Sequence, residues 1–224
     1  MSTIYENLRA VEDRIDKAAR KSGRSREDVT LVTVTKTRSV EQIKEVIACG
    51  ATDLGENYVQ EAKDKFSQIT DPVRWHMIGH LQRNKARHAV EFCSLIHSVD
   101  SLELARQIGR QAEAVGRRMD VLIEVKISSE ATKFGVEPDD ALELVSKIAQ
   151  VSGVKLCGLM GMAPFELDPL ETRPYFKSLK ELWDKLPDEQ RIYLSMGMTS
   201  DFEVAIEEGA NMVRIGTAIF GPRG

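Results

Sequence analysis

Apolar positions along the chain alternate between two rhythms. Behind a Thr3-x-x-Glu6 capping box, Ile4, Leu8, Val11 and Ile15 recur at helical spacing. A β-branched run then extends from Thr30 to Thr35 and closes on Lys36. Ser39-x-x-Gln42 caps a second helix, whose apolar face is Val40, Ile43, Val46 and Ile47 and which Gly50 ends. The exchange continues with strand 52–54, helix 56–68, strand 73–78, helix 83–91, strand 94–98, helix 101–115 and strand 120–127. Pro138, suited to a first helical turn, opens helix 138–151. Strand 154–160, helix 174–186, strand 191–195, helix 200–208 and strand 211–215 complete the series.

About eight strands, each but the last followed by a helix, must pair in parallel, and that number suggests closure. The expected fold is an α/β (β/α)₈ TIM barrel. The chain runs out at Gly224 with no helix after the eighth strand, which frees the N-terminal helix to complete the outer ring. No linker, low-complexity stretch or shift of composition divides residues 1–224, so one domain is expected. A doubly wound open sheet is the competing architecture.

Composition narrows the classes. Hydrophobic residues at 42% and charged residues at 29% are the balance of a globule with a sizeable core. No run approaches the roughly 18 apolar residues of a membrane span, and the N-terminus does not read as a signal peptide. A formal charge of −4 argues against nucleic acid or an anionic membrane as partner. Cys49, Cys93 and Cys157 are odd in number and contain no C-x-x-C pair, which reads as reduced thiols in a cytoplasmic protein. The cluster Arg83 to His88 reads as a solvated helix face. His76-x-x-x-His80 lies at a strand end and lacks a third ligand at metalloprotease spacing, so no metal is expected.

Function in this fold gathers at the C-terminal ends of the strands. Lys36 shares parity with Val32 and Val34, which should face the barrel interior. A buried amine loses pKa to desolvation and becomes a nucleophile toward aldehydes. The bland alternative is a strand that ends one residue early and releases Lys36 to solvent. Gly216-Thr217 after strand eight and Ser195 to Ser200 after strand seven, where Ser200-x-x-Glu203 caps a helix, lie at the customary phosphate site of the fold. Closure of the barrel would bring that site beside Lys36. Arg214, inward by parity, needs an acceptor. A carboxylate would serve, and so would a pyridine nitrogen, which a permanently charged guanidinium would keep unprotonated.

These segments resemble the pyridoxal phosphate homeostasis proteins, whose fold is similar to the N-terminal barrel of alanine racemase. The resemblance rests on Thr33 to Lys36, Gly55 to Glu61, His76 to Gln82 with Asn84-Lys85, Lys133 to Gly135, Gly158 to Met160, Leu194 to Asp201 and Met212 to Gly221. It implies pyridoxal 5′-phosphate as cofactor, held as a Schiff base on Lys36. It implies that Asn57 lines the cofactor, that Ser195, Thr199, Gly216 and Thr217 hold its phosphate, and that Arg214 faces the ring nitrogen. His76 and Met196 would line the pocket. Lys126 stands where asparagine is expected.

The resemblance further implies a non-catalytic carrier, with pyridoxal-phosphate-dependent apoenzymes as recipients; separately, a monomer is expected rather than an obligate oligomer. The alternative is a racemase-like enzyme. Racemases need a second acid/base, which similar enzymes take from a C-terminal β-domain that this sequence does not encode, so racemisation should be negligible. A third reading, a cofactor-free Schiff-base aldolase, predicts a colourless protein.

Overall fold

The computed structural model describes residues 3–128, 134–164 and 168–222. The expected strands form in the expected order: β1 (Thr30–Val34), β2 (Asp53–Glu56), β3 (Arg74–Met77), β4 (Leu95–Val99), β5 (Met119–Val125), β6 (Val154–Gly161), β7 (Tyr193–Ser195) and β8 (Met212–Ile215). Every neighbouring pair is parallel, and β1 closes onto β8 with Thr30 opposite Met212 and Thr33 opposite Ile215. The architecture is therefore the expected (β/α)₈ TIM barrel, and the open sheet is excluded.

The ring of helices consists of α1 (Ile4–Lys21), α2 (Val40–Ala48), α3 (Val59–Phe66), α4 (Ala86–Phe92), α5 (Leu102–Ala114), α6 (Pro138–Ile148), α7 (Arg173–Trp183), α8 (Phe202–Glu207) and α9 (Thr217–Phe220). The capping boxes at Thr3 and Ser39 are both made. Helix α1 packs against α2, α8 and α9 and so completes the ring. Arg14 pairs with Glu203, Lys21 with Glu207, and the Asn7 amide donates to the Ile219 carbonyl at 2.9 Å.

Three local expectations are corrected. A short helix, α9, does follow β8, because Ile219 finds a buried site against α1. Helix α3 starts at Val59 rather than residue 56, since β2 continues through Glu56 and leaves Asn57-Tyr58 as a loop. Helix α8 takes Asp201, not Ser200, as its N-cap, and the Asp201 carboxylate accepts from the Met198 N–H at 2.6 Å.

Alternation divides the core into two layers. Leu54, Met77, Ile96, Val121 and Ile215 point outward and pack beneath the helices. Val32, Leu95, Leu122, Cys157, Met160 and Met212 fill the barrel interior. Cys157 and Met160 both point inward although three residues apart, because β6 carries one residue more than β5 between Leu156 and Leu159. Gly158 makes that bulge possible. Its φ is 139°, and a Cβ there would lie 1.8 Å from the Tyr193 carbonyl oxygen.

Candidate functional site

A cavity of about 1010 Å³ opens among the C-terminal ends of the strands. Lys36, Asn57, Thr199, Arg214, Gly216 and Thr217 all line it. Its described lining holds four cationic side chains, Lys36, Arg38, Lys85 and Arg214, against one carboxylate, Glu124, and so favours an anionic ligand.

Lys36 lies two residues past the end of β1, after Thr35, and the backbone on both sides of it is pinned. Buried Lys65, at the end of α3, donates to the Thr35 carbonyl at 2.6 Å and to Glu56 and Glu61 at 2.7 Å each. Glu56 also accepts from the Thr35 hydroxyl at 2.7 Å, and Glu61 from the Thr37 N–H at 2.5 Å. Burial pushes the Glu56 carboxyl above its ordinary range, against the pull of Lys65 and Thr35. Thr37 is left-handed, with φ of 63°, a conformation that costs a β-branched residue on the order of 1 kcal/mol or more. The Glu61 carboxylate holds it there, and the turn aims Lys36 along the cavity wall.

The opposite side of the same seam is an anion cradle. Thr199 and Ser200 follow β7, and Gly216 and Thr217 follow β8. Among the described residues, the backbone N–H groups of these four make no hydrogen bond within the chain. A cluster of N–H groups without partners is a fitting seat for a phosphate. Gly216 lets β8 approach β1 closely, since a Cβ there would lie 3.1 Å from the Val34 carbonyl oxygen.

Arg214 is 4% exposed, and burial pushes its guanidinium down to about 10, which leaves it charged at neutral pH. It donates to the Ser195 carbonyl at 2.8 Å, to the Ser195 hydroxyl at 2.6 Å and to the Gly161 carbonyl at 3.0 Å. Three of its five N–H groups are thus engaged, and the side chain still reaches the cavity.

The structure places three sequence candidates elsewhere. Ser195 is fully buried below the cavity, and its hydroxyl lies between Arg214 and His97 rather than at the phosphate cradle. His76 is also inside the barrel, bonded to Asp53 and His97. Met196 points outward with Leu194 into the layer beneath the helices, as parity with inward Ser195 requires. Lys126 does not line the cavity and pairs with Glu137 at 2.8 Å. Lys133 lies outside the described residues.

Glu124 was not anticipated. It is 4% exposed on the cavity wall, and burial pushes its carboxyl up to about 7 despite the nearby Arg214. The signal was present: a carboxylate two residues after Leu122, on the inward parity of β5 and close to the strand's C-terminal end. His80 stacks on Phe134 at the rim, with ring centroids 3.6 Å apart. His76 and His80 therefore do not converge, and among the described residues no group of three His, Cys, Asp or Glu side chains could hold a metal ion.

Known proteins are similar to this chain in sequence and in fold. Residues 7–224 match the family model described as alanine racemase, N-terminal domain. A pyridoxal phosphate homeostasis protein from Aquifex aeolicus is 44% identical over 97% of each chain, and one from Pseudomonas aeruginosa is 40% identical over 100% of this chain and 97% of its own. The solved structure of PipY from Synechococcus elongatus with PLP bound superposes with a TM-score of 0.85 at 33% identity, over 98% of this chain and all of that one. Alanine racemase from Clostridium difficile shares the fold, with a TM-score of 0.73 at 17% identity over 97% of this chain and 57% of its own. The chain belongs to the alanine racemase N-terminal-domain family and, within it, to the pyridoxal phosphate homeostasis proteins.

Proposed function

We propose that this chain binds pyridoxal 5′-phosphate as a Schiff base on Lys36 and serves its intracellular homeostasis without turnover of its own. The observation that carries the reading is the convergence on one cavity of a primary amine, four unpaired backbone N–H groups and a buried guanidinium. These match the aldehyde, the phosphate and the ring nitrogen of the cofactor. Lys36 Nζ would add to the aldehyde carbon with loss of one water. The amides of Thr199, Ser200, Gly216 and Thr217 would hold the phosphate, and Asn57 would line the ring. Arg214 keeps its own proton, so the nitrogen it meets stays unprotonated and the bound ring withdraws electrons weakly. Pyridoxal-phosphate-dependent apoenzymes in the cytoplasm are the recipients in this reading, and the three free thiols suit a reducing compartment.

One observation favours a second reading, a racemase-like enzyme. Glu124 is a cavity carboxyl poised near neutrality, as a general acid/base would be. Two measurements separate the readings. Borohydride reduction of the coloured protein should fix one pyridoxyl group per chain on the peptide containing Lys36, and label on Lys126 or Lys133 instead would sink the assignment. Deuterium exchange at Cα of L-alanine and other amino acids should be negligible. Multiple turnovers per minute would establish an enzyme.

A further inference from the structure

Barrel interiors of this kind are ordinarily filled by layers of apolar side chains. Here a file of polar groups crosses the interior from the N-terminal rim to the cavity. Exposed Arg74 grips Asp53 through both carboxylate oxygens at 2.8 Å. Asp53 meets His76 Nε2 at 2.8 Å, and His76 Nδ1 meets His97 Nε2 at 3.0 Å. His97 Nδ1 meets the Ser195 hydroxyl at 3.0 Å, and that hydroxyl meets Arg214 at 2.6 Å. Asp53, His76, His97, Ser195 and Arg214 are all at most 4% exposed.

With one proton on each imidazole, the two ends fix the direction of every bond between them. Arg214 can only donate, and the Asp53 carboxylate can only accept. Burial opposes ionisation of Asp53, but the bonds from His76 and Arg74 outweigh it and hold the carboxyl below its ordinary range. Burial, with His76 and Arg214 adding to it, holds His97 well below the usual imidazole range, so its ring is neutral. His76 must then carry its proton on Nε2 to reach Asp53, which makes its Nδ1 an acceptor. His97 in turn must carry its proton on Nε2, which leaves Nδ1 to accept from the Ser195 hydroxyl. With its own proton committed to His97, that hydroxyl presents a lone pair to Arg214. The opposite tautomer at His97 would donate to the serine oxygen, release the serine proton to swing freely and set a bare His97 Nε2 against the bare His76 Nδ1.

We propose that Asp53, His76, His97 and Ser195 are positioning residues, a one-way hydrogen-bond file that holds Arg214 in the orientation that serves the ring nitrogen of the cofactor. Packing alone does not ask for this arrangement, because apolar side chains of similar volume fill a core at least as favourably as buried charged groups. The inference rests on the proposed function for what Arg214 meets. The file itself is a property of the protein without cofactor.

The test begins there. Long-range ¹H–¹⁵N correlation spectra of the cofactor-free protein should show His76 and His97 both as Nε2–H tautomers, and an Nδ1–H form at either ring overturns the file. Asp53→Leu removes the terminal acceptor and should give His97 mixed tautomers. It should also weaken cofactor binding about tenfold, while borohydride still labels Lys36. Asp53→Asn offers an amide oxygen to His76 and should restore both readouts. A folded Asp53→Leu protein with an unchanged His97 tautomer and unchanged affinity overturns the positioning role. Should that variant not fold, Ser195→Ala removes a single buried oxygen, and unchanged affinity there overturns the role equally. Wild-type protein that takes no label at Lys36 would sink the proposed function and the role of the file with it. The tautomers would still report whether the file exists.

Discussion

Lys36 owes its aim to a second lysine. Lys65 joins three acceptors around the Thr35–Thr37 turn, and its removal would leave the buried Glu56 carboxylate without its cation. Lys65→Met should destabilise the fold by about 3–5 kcal/mol in urea titration, the usual consequence of breaking a buried pair from one side. In protein that still folds, it should slow labelling of Lys36, and Lys65→Arg should recover part of both losses. A lighter change, Thr199→Ala, should weaken cofactor retention by about 1–3 kcal/mol in equilibrium dialysis if the hydroxyl bonds the phosphate. At this scale much of the site was legible. Strand-end parity picked out Lys36 and Arg214, because direction along a strand has a period of two, and the family resemblance added Asn57. Depth was not legible. Ser195 points inward as parity demands but sits below the cavity, and only the stagger between neighbouring strands sets that level. His97 and Asp53 escaped notice for the same reason, since their importance lies in cross-strand neighbours that sequence spacing does not encode.

The elements position these residues through close approaches that tolerate little change. Gly79, just after β3, sits against the loop that carries Asn57, and a Cβ there would fall 2.4 Å from the Asn57 carbonyl oxygen. Gly79→Ala should therefore push the two strand ends apart, lower stability by about 1–3 kcal/mol and loosen cofactor binding, as thermal melts with and without cofactor would show. An unchanged melting temperature would mean that the approach is looser than this geometry. Strands were the most legible elements because β-branched runs such as Thr30 to Thr35 are short and bounded by turn residues. Helix α9 was invisible, since four residues offer no period to read. The end of β2 was misjudged because Glu56 resembles a helix-opening carboxylate and is instead buried against Lys65.

For the whole molecule, buried groups set opposing responses to acid, and His97 and Glu124 are one of each kind. His97 is held neutral in the fold but takes a proton near pH 6.5 once unfolded, so its contribution is present above about pH 6.5 and is lost as pH falls. Glu124 works the other way. Its carboxyl sits near 7 folded against about 4.5 unfolded, so the fold gains on the order of 3 kcal/mol as pH falls between those values. Glu124→Gln removes that gain, and its urea-measured stability should fall more steeply from pH 7 to pH 5 than that of the wild type. A parallel decline in the two proteins would argue against a raised Glu124. Barrel closure was legible from the count of strands, but the pairing of β1 with β8 also has a temporal meaning. Helix α1 and β1 leave the ribosome first, yet their partners α8, α9 and β8 are made last, with Asn7 waiting for Ile219 across 212 residues of chain. During synthesis the first strand has an open edge and the first helix a bare apolar stripe, both exposed to premature association. Closure is thus a late event in the life of each nascent chain, and factors that shelter its N-terminal segment should govern the yield of folded protein more than those that act on the completed barrel.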